Sequence, residues 1–185
     1  MAPRLRADAR RNRVALLAAA REVFAEHGLD ASLDEIARRA GVGNATLYRR
    51  FPSRRHLIAE VFASHLTAAV RLADQAVEHP DPWAAFVGYL TRICELQATD
   101  RGLAELLVTT AFDDDERLAV LRAAAQRRSV DVLTRAQRAG RLRADFTRND
   151  MSLLMMANAG VAQHAGDPQA WRRQLALVIG GLAAR

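Results

Sequence analysis

Apolar residues recur at helical spacing along almost the whole chain, and no stretch keeps the alternation that a half-buried strand requires. Between residues 11 and 28 one apolar stripe follows the spacing i, i+1, i+4, i+7 and i+8, at Leu16, Leu17, Ala20, Val23 and Phe24. Gly28 then supplies the usual helix stop signal. The pattern predicts a first helix over this segment and an all-α fold.

Two short helices should follow the first. In "SLDEIARRAG", Ser32 and Glu35 have the spacing of a capping box, and Gly41 ends the helix after about two turns. After "GVG", the segment "NATLYRRF" predicts a third helix, and a Pro-Ser pair separates it from a long fourth helix that ends near residue 79. Two short helices joined by a tight glycine turn match the helix-turn-helix plan, in which the second helix reads DNA.

The outward face of the third helix carries the candidate chemistry. A step of about 100° per residue turns Leu47 and Phe51 toward the core and leaves outside Ala45, Thr46 and Arg49, flanked by Tyr48 and Arg50. Small residues at the helix start allow it to enter a major groove. Arg49 can pair with a guanine edge or a phosphate, and the flanking side chains can reach backbone oxygens. A solvated basic face on a helical bundle is the alternative interpretation.

The charge distribution favours a polyanionic partner. The 185 residues carry a net charge of +6, and residues 1–60 hold 12 Arg against 7 Asp and Glu, an excess of 5. The chain shows neither a secretory signal nor a long apolar span, so we expect a cytoplasmic protein that does not enter a membrane. Cys94, the single cysteine, is expected to be a small buried hydrophobe rather than a redox sensor.

The stretch "LDEIARRAGVGNATLYRRFPSRRHL" resembles the DNA-binding signature of the TetR/AcrR family of bacterial transcriptional regulators, and the match is close over residues 12–62. The resemblance implies about nine helices in two domains. A three-helix helix-turn-helix domain would span residues 12–58, and a helical domain for effector binding and dimerisation would span residues 59–185. It also implies a homodimeric repressor of a palindromic double-stranded DNA operator.

The same resemblance assigns roles to individual residues. Tyr48 and Arg54 would contact phosphates, and Asn44, Ala45 and Thr46 would meet the major groove. Ser32 and Arg38 would lie near phosphate on the second helix. Two residues depart from the family pattern. Gly43 replaces the usual Ser or Thr cap, and Arg50 stands where an aromatic residue or His is common, which leaves its target open.

Residues 1–11 are expected to form a flexible basic arm. Its "PRLRADARR" segment is rich in arginine, and Arg11 lies closest to the folded part. Such an arm can follow a minor groove or the phosphates. A solvated tail without a partner is the alternative.

The remaining chain predicts helices at about 83–98, 101–111, 114–139, 148–165 and 168–184. Asp113, Asp114 and Asp115, followed by Glu116, are interpreted as a helix cap rather than a metal site, because consecutive carboxylates on a helix point in different directions. The last two helices are apolar over much of their circumference. They predict a dimer interface, with internal packing as the alternative, at Leu153, Met156, Val161, Leu175, Val178, Ile179 and Leu182.

A small apolar effector is the expected ligand of the second domain, as the resemblance implies. Its pocket would use bulky or polar-tipped side chains, each of which could equally belong to the core: Phe62, Leu66, Trp83, Phe86, Tyr89, Leu90, Cys94, Leu107, Thr110, Phe112, Met155 and Asn158. The five His residues form no metal-binding pair and no nucleophile motif occurs, so we expect no catalysis, cofactor or metal. An architectural DNA-binding protein without an effector is the alternative function.

Overall fold

The computed structural model describes residues 2–109 and 115–184, with side chains from residue 8 onward within these ranges. In this described part the chain is all-α. Nine helices occur there: α1 (Ala2–His27), α2 (Leu33–Arg39), α3 (Asn44–Arg50), α4 (Arg54–Glu78), α5 (Pro82–Thr99), α6 (Arg101–Val108), α7 (Glu116–Arg138), α8 (Arg148–His164) and α9 (Ala170–Leu182).

The amino-terminal segment differs from the expected flexible arm. Helix α1 begins at Ala2, so the described residues of the segment continue the first helix. The composition accounts for this, because the segment has no glycine and its one proline, Pro3, lies in the first turn, where a missing N–H costs nothing. Any DNA contact made by these turns would therefore come from a helix.

Side-chain caps fix the starts of α4, α6 and α7. Ser53 accepts a hydrogen bond from the backbone of His56 at the start of α4, and Asp100 accepts one from Leu103 at the start of α6. Asp115 accepts one from the Leu118 N–H at the start of α7, which confirms its capping role. Asp113 and Asp114 lie outside the described residues.

The last helix ends two residues before the predicted position 184. Its C-terminal Leu182 carbonyl accepts a hydrogen bond from Arg143, and Ala184 donates to Arg141. These bonds pair the end of the chain with the connection between α7 and α8. Pairing with a distant segment stops the helix where its apolar pattern alone would have continued it.

Two hydrophobic cores follow one another along α4. The first joins α1–α3 to α6 and contains Leu57, Phe62 and Leu66 of α4. The second lies among α5, α7, α8 and α9 and takes from α4 Ala69, Ala73 and Ala76. The expected domain boundary after residue 58 thus falls inside a continuous helix, and the first core extends beyond it.

None of the helices in the described ranges combines the length and the apolarity that crossing a bilayer demands. Over the same ranges, no three His, Cys, Asp or Glu side chains are grouped so that they could hold a metal ion.

Candidate nucleic-acid interface

The turn between α2 and α3 is set by backbone hydrogen bonds around Gly41. The Val42 N–H donates to the Ala37 carbonyl at 3.0 Å, and the Gly41 N–H donates to Arg38 at 3.1 Å. This Schellman arrangement needs a left-handed residue, and Gly41 has φ +68°. Val42 then packs on the first core. The turn fixes the angle at which α3 leaves α2.

Helix α3 divides into an inner and an outer face as its periodicity predicts. Leu47 and Phe51 are each 1% exposed and anchor the helix in the first core. On the outside lie Ala45, Arg49 and Arg50, together with Tyr48, which is 49% exposed, while Thr46 is half-buried. An aromatic ring so exposed loses apolar burial, which a surface made for binding would recover.

The start of α3 is held to α2 through Asn44. Its amide Nδ2 donates to the Asp34 carboxylate at 2.7 Å. Gly43, the N-cap residue, supplies no side-chain cap, as the sequence predicts. The Asn44–Asp34 bond therefore braces the two short helices, and sequence reasoning, which assigned Asn44 only to the groove, missed it.

The capping box predicted for α2 is only half formed. Ser32 accepts a hydrogen bond from the Glu35 N–H at 3.4 Å, but the Glu35 carboxylate accepts from Arg38 at 2.8 and 2.7 Å. The Arg38 hydrogen bond holds the pKa of Glu35 below its usual value. Because both Ser32 and Arg38 stay exposed, they are available at the surface where the resemblance places phosphate.

Arg54 supports the connection between α1 and α2. Its Nη1 donates to the carbonyls of Leu29 at 2.8 Å and Ala31 at 2.5 Å. Leu29 and Ala31 are buried, so their carbonyls need donors from the protein. The phosphate contact expected of Arg54 would thus have to use its other guanidinium nitrogens.

Replacing Arg54 with Met should lower the free energy of unfolding of the DNA-free protein by about 1 kcal/mol, because the two carbonyls lose their donor. Urea denaturation measures the change. Arg49→Met removes an exposed arginine nearby and should alter the free energy of unfolding by less than about 0.5 kcal/mol. Equal stability of the Arg54→Met variant and the wild type would contradict the structural role.

Helix α1 lies beside α3 on the side of Arg50. The Nη2 of Arg50 donates to the Ala9 carbonyl at 2.9 Å. A groove of about 230 Å³ between the two helices is lined by Ala9, Asn12, Arg13, Leu16, Thr46, Arg49 and Arg50. Asn12 is a polar residue of this groove that sequence reasoning missed, since its place in α1 gave no signal of its distance from α3. Arg11 is exposed and pairs with Asp8.

The residues predicted for an effector pocket do not surround one cavity. Phe62 and Leu66 belong to the first core, whereas Phe86, Tyr89, Leu90 and Cys94 are buried in the second, against which Trp83, Leu107 and Met155 pack. Phe86 and Trp83 also stack on each other. Thr110 and Phe112 lie outside the described residues. Most members of this set pack in the two cores, and a role for them in an effector pocket stays a prediction.

Two members of the predicted set, Asn158 and Cys94, carry polar groups inside the second core. Asn158 is fully buried and its Nδ2 donates to the Gln97 amide oxygen at 2.9 Å and to the Cys94 carbonyl at 3.2 Å. It ties α8 to α5. Burial raises the pKa of the Cys94 thiol to about 12, which agrees with an inert, buried cysteine.

Another cavity lies where α4, α6, α7 and α8 meet. Its volume is about 240 Å³, and it is lined by Leu66, Leu107, Val108, Thr109, Arg122, Ala125, Gln126, Ser152 and Met156. Only Leu66 and Leu107 were predicted. The polar members are Thr109 at the end of α6, Arg122 and Gln126 of α7, and Ser152 of α8. Their sequence positions resemble those of any solvated helix face.

The predicted dimer residues separate into two groups. Leu153 and Met156 are 54% and 52% exposed. Leu175 and Leu182 are buried in the second core, and Val161, Val178 and Ile179 pack against it. Leu175 and Leu182 are therefore corrected to internal packing. Leu177 of α9, another apolar residue of these two helices, is 62% exposed.

Comparison with known proteins matches both parts of the chain. The family described as "Bacterial regulatory proteins, tetR family" matches residues 16–61, which include the turn and α3. The family described as "Transcriptional regulator SbtR-like, C-terminal domain" matches residues 81–184. The chain belongs to the TetR family. Its resemblance to DNA-binding transcription regulators is thereby confirmed, and so is the all-α fold with an amino-terminal helix-turn-helix.

Individual TetR-family relatives extend over nearly the whole chain. A TetR regulator from Mycobacterium vanbaalenii is 32% identical, with a TM-score of 0.59, and the match covers 97% of this chain and 99% of that one. One from Streptomyces coelicolor is 31% identical, with a TM-score of 0.60 and coverage of 93% and 98%. An uncharacterized HTH-type transcriptional regulator of Mycobacterium bovis is 27% identical over 159 residues, which are 81% of this chain and 79% of the relative.

Proposed function

We propose that this TetR-family regulator is a homodimeric repressor that binds a palindromic operator through α3 and is released by a small molecule. The exposed outer face of α3 carries the proposal, because Tyr48, Arg49 and Arg50 project from a helix anchored by Leu47 and Phe51. Within the structure of α3 there is no acidic residue to repel phosphate. Arg49 is assigned to base edges and Tyr48 to the backbone.

A dimer would present two such helices to successive major grooves, about 34 Å apart. The exposed apolar side chains of α8 and α9, Leu153, Met156 and Leu177, support this assembly. Isologous packing of the same surface on two subunits would remove all three from water. The buried Leu175 and Leu182 would support the surface from inside.

The double variant Leu153→Ala, Leu177→Ala should raise the dimer dissociation constant roughly tenfold or more, because each truncation removes apolar area from the interface. Sedimentation equilibrium measures the constant. Val120→Ala is the matched control, since Val120 is 61% exposed on α7, away from this surface. An unchanged dissociation constant in the double variant would place the interface elsewhere.

The coupling between effector and DNA is proposed to pass through Leu29. The Leu29 N–H donates to Glu105 of α6 at 2.7 Å, and the Leu29 carbonyl accepts from Arg54 of α4 at 2.8 Å. One peptide segment between α1 and α2 is thus held from both helices that reach toward the second core. A displacement of α6 or α4 would move the base of the helix-turn-helix and change the separation of the two reading helices.

The cavity among α4, α6, α7 and α8 is the proposed effector site. It adjoins α6 and α4, the helices that hold Leu29, and its lining combines five apolar residues with four polar ones. A small effector with both an apolar body and polar groups suits such a lining. At the level of the fold there is a precedent, since FadR from Bacillus subtilis, 18% identical, is in complex with stearoyl-CoA.

The test of the effector is a change in operator affinity. The operator is obtained by selection, and a panel of small molecules is screened for release of the labelled operator DNA. An effector should weaken operator binding by a coupling free energy of about 1–3 kcal/mol. Ala125→Trp would fill the proposed cavity from α7 and should abolish the response while leaving operator binding intact. A true effector that acts equally on this variant would contradict the assigned site, and an architectural protein would show no response to any compound.

A further inference from the structure

Arg50 stands at a position where the TetR family commonly has an aromatic residue or His, and its contact in the structure is with α1. The guanidinium Nη2 donates to the Ala9 carbonyl at 2.9 Å, between residues 41 positions apart. A helical carbonyl retains a second lone pair, so this bond forms without breaking α1. Arg50 therefore joins the carboxyl end of α3 to the amino-terminal turns of α1.

At residues 8–11, the described side chains of these turns, no apolar packing holds α1 in place. Among the described side chains of α1, Leu16 is the first that is buried, and Asp8, Ala9, Arg10 and Arg11 are all exposed. An exposed helix end frays unless another contact fixes it. The bond from Arg50 supplies such a contact at Ala9, about two turns before the core begins at Leu16.

The segment held in this way is cationic. Residues 2–11 contain four arginines, Arg4, Arg6, Arg10 and Arg11, and one acidic residue, Asp8. A helix that continues from Ala9 back to Ala2 extends about 10 Å beyond the bond. Within this segment Ala9 lines the groove between α1 and α3, together with Thr46 and Arg49 of the proposed reading helix.

We propose that Arg50 is a positioning residue: it holds the amino-terminal turns of α1 beside α3 so that their arginines contact phosphates flanking the bases that α3 reads. The proposal rests on the proposed function, because it needs α3 to lie in a groove. It assigns Arg50 no DNA contact of its own. The expected phosphate contacts come from Arg10 and the arginines before it, which a rigid helix presents at less entropic cost than a flexible arm.

The test is a four-way comparison of full-length proteins on the selected operator: wild type, Arg50→Met, the Arg4, Arg6, Arg10 and Arg11 to Ala variant, and the combination. Arg50→Met should weaken binding about fivefold or more in the wild type and by less than about 1.5-fold in the variant without these arginines. The slope of the logarithm of the binding constant against the logarithm of the salt concentration should fall in magnitude by about 2 or more on Arg50→Met, since several phosphate contacts are lost. Loss of a single phosphate contact would lower it by about 0.9.

Two outcomes would overturn the assignment. An equal loss in both backgrounds, with a slope change of about 0.9, would make Arg50 a direct phosphate contact. No loss in either background would show that the bond to Ala9 does not matter for binding. Circular dichroism and thermal unfolding of Arg50→Met check that the fold is retained, and Arg50→Lys serves as a second variant that keeps the charge. Failure of the wild type to select any DNA motif would instead reject the proposed function itself.

Discussion

Replacing Gly102 with Ala should destabilise the protein by about 1–3 kcal/mol, in the range of an overpacked core. Gly102 is buried at the start of α6, where a Cβ would lie 2.8 Å from Cζ of Phe62 and 2.9 Å from the backbone oxygen of Phe24. The phenyl ring is itself fully buried and the other neighbour is backbone, so neither can move cheaply. Urea denaturation followed by circular dichroism measures the loss.

Gly88→Ala is the matched control for this change. Gly88 lies inside α5 and is exposed, and no heavy atom lies within 4 Å of the place that a Cβ would occupy. Ala should therefore stabilise the protein by up to about 1 kcal/mol through helix propensity. Opposite signs for the two glycines are the expected result. A Gly102→Ala variant as stable as the wild type would mean that α6 does not approach α1 and α4 as closely as described.

The Arg49→Ala variant should lose about 1–3 kcal/mol of operator binding, which is about five- to 150-fold in the dissociation constant. Arg49 is exposed on the outer face of α3, and a bidentate contact with guanine is its strongest available interaction. Loss of a base contact should relax specificity at one position of each half-site. Fluorescence anisotropy with the operator and with single-base variants measures both effects.

Arg138→Ala provides the control, because Arg138 is an exposed arginine at the end of α7. It should leave the operator dissociation constant within about twofold of wild type if α7 stays off the DNA. If Arg49→Ala weakens binding to all sequences alike, Arg49 contacts phosphate only, and the base-reading role is wrong.

The helices could be predicted from the sequence because their signals are local. Each signal lies within a few residues of the feature that it determines: the apolar stripe that ends at Phe24, the left-handed Gly28 and Gly41, and the cap at Ser53. The same is true of the outer face of α3, where the periodicity separates Leu47 from Arg49. The exact end of α9 at Leu182, two residues from the predicted position, depends on a pairing with Arg143, which is distant in the sequence.

The contacts that join elements could not be predicted in the same way. Asn44 meets Asp34, Arg54 meets Leu29, and Arg50 meets Ala9 across 10, 25 and 41 positions. Periodicity states which face a residue occupies but not which other element lies opposite. All three were therefore predicted as DNA contacts, while their partners within the protein went unrecognised.

The individual residues of the pocket and of the dimer surface could not be assigned from the sequence for a related reason. Phe62 and Phe86 have the residue type of a ligand contact, but the same type fills a core, and only packing decides between the two. On α9, apolar residues occur almost all around the helix, so the pattern did not separate the buried Leu175 from the exposed Leu177. Separating them requires knowing which side of α9 faces α8 and α5.

The most direct test of sequence-specific DNA reading by α3 is an unbiased selection of DNA fragments by the purified protein and by a Tyr48→Ala, Arg49→Ala variant, at about 150 mM salt to suppress purely electrostatic binding. The wild type should recover a palindrome with half-sites about one helical turn apart, and the variant should recover none. Recovery of no motif by the wild type, or of the same motif by both proteins, would contradict the assignment of α3 as the reading helix.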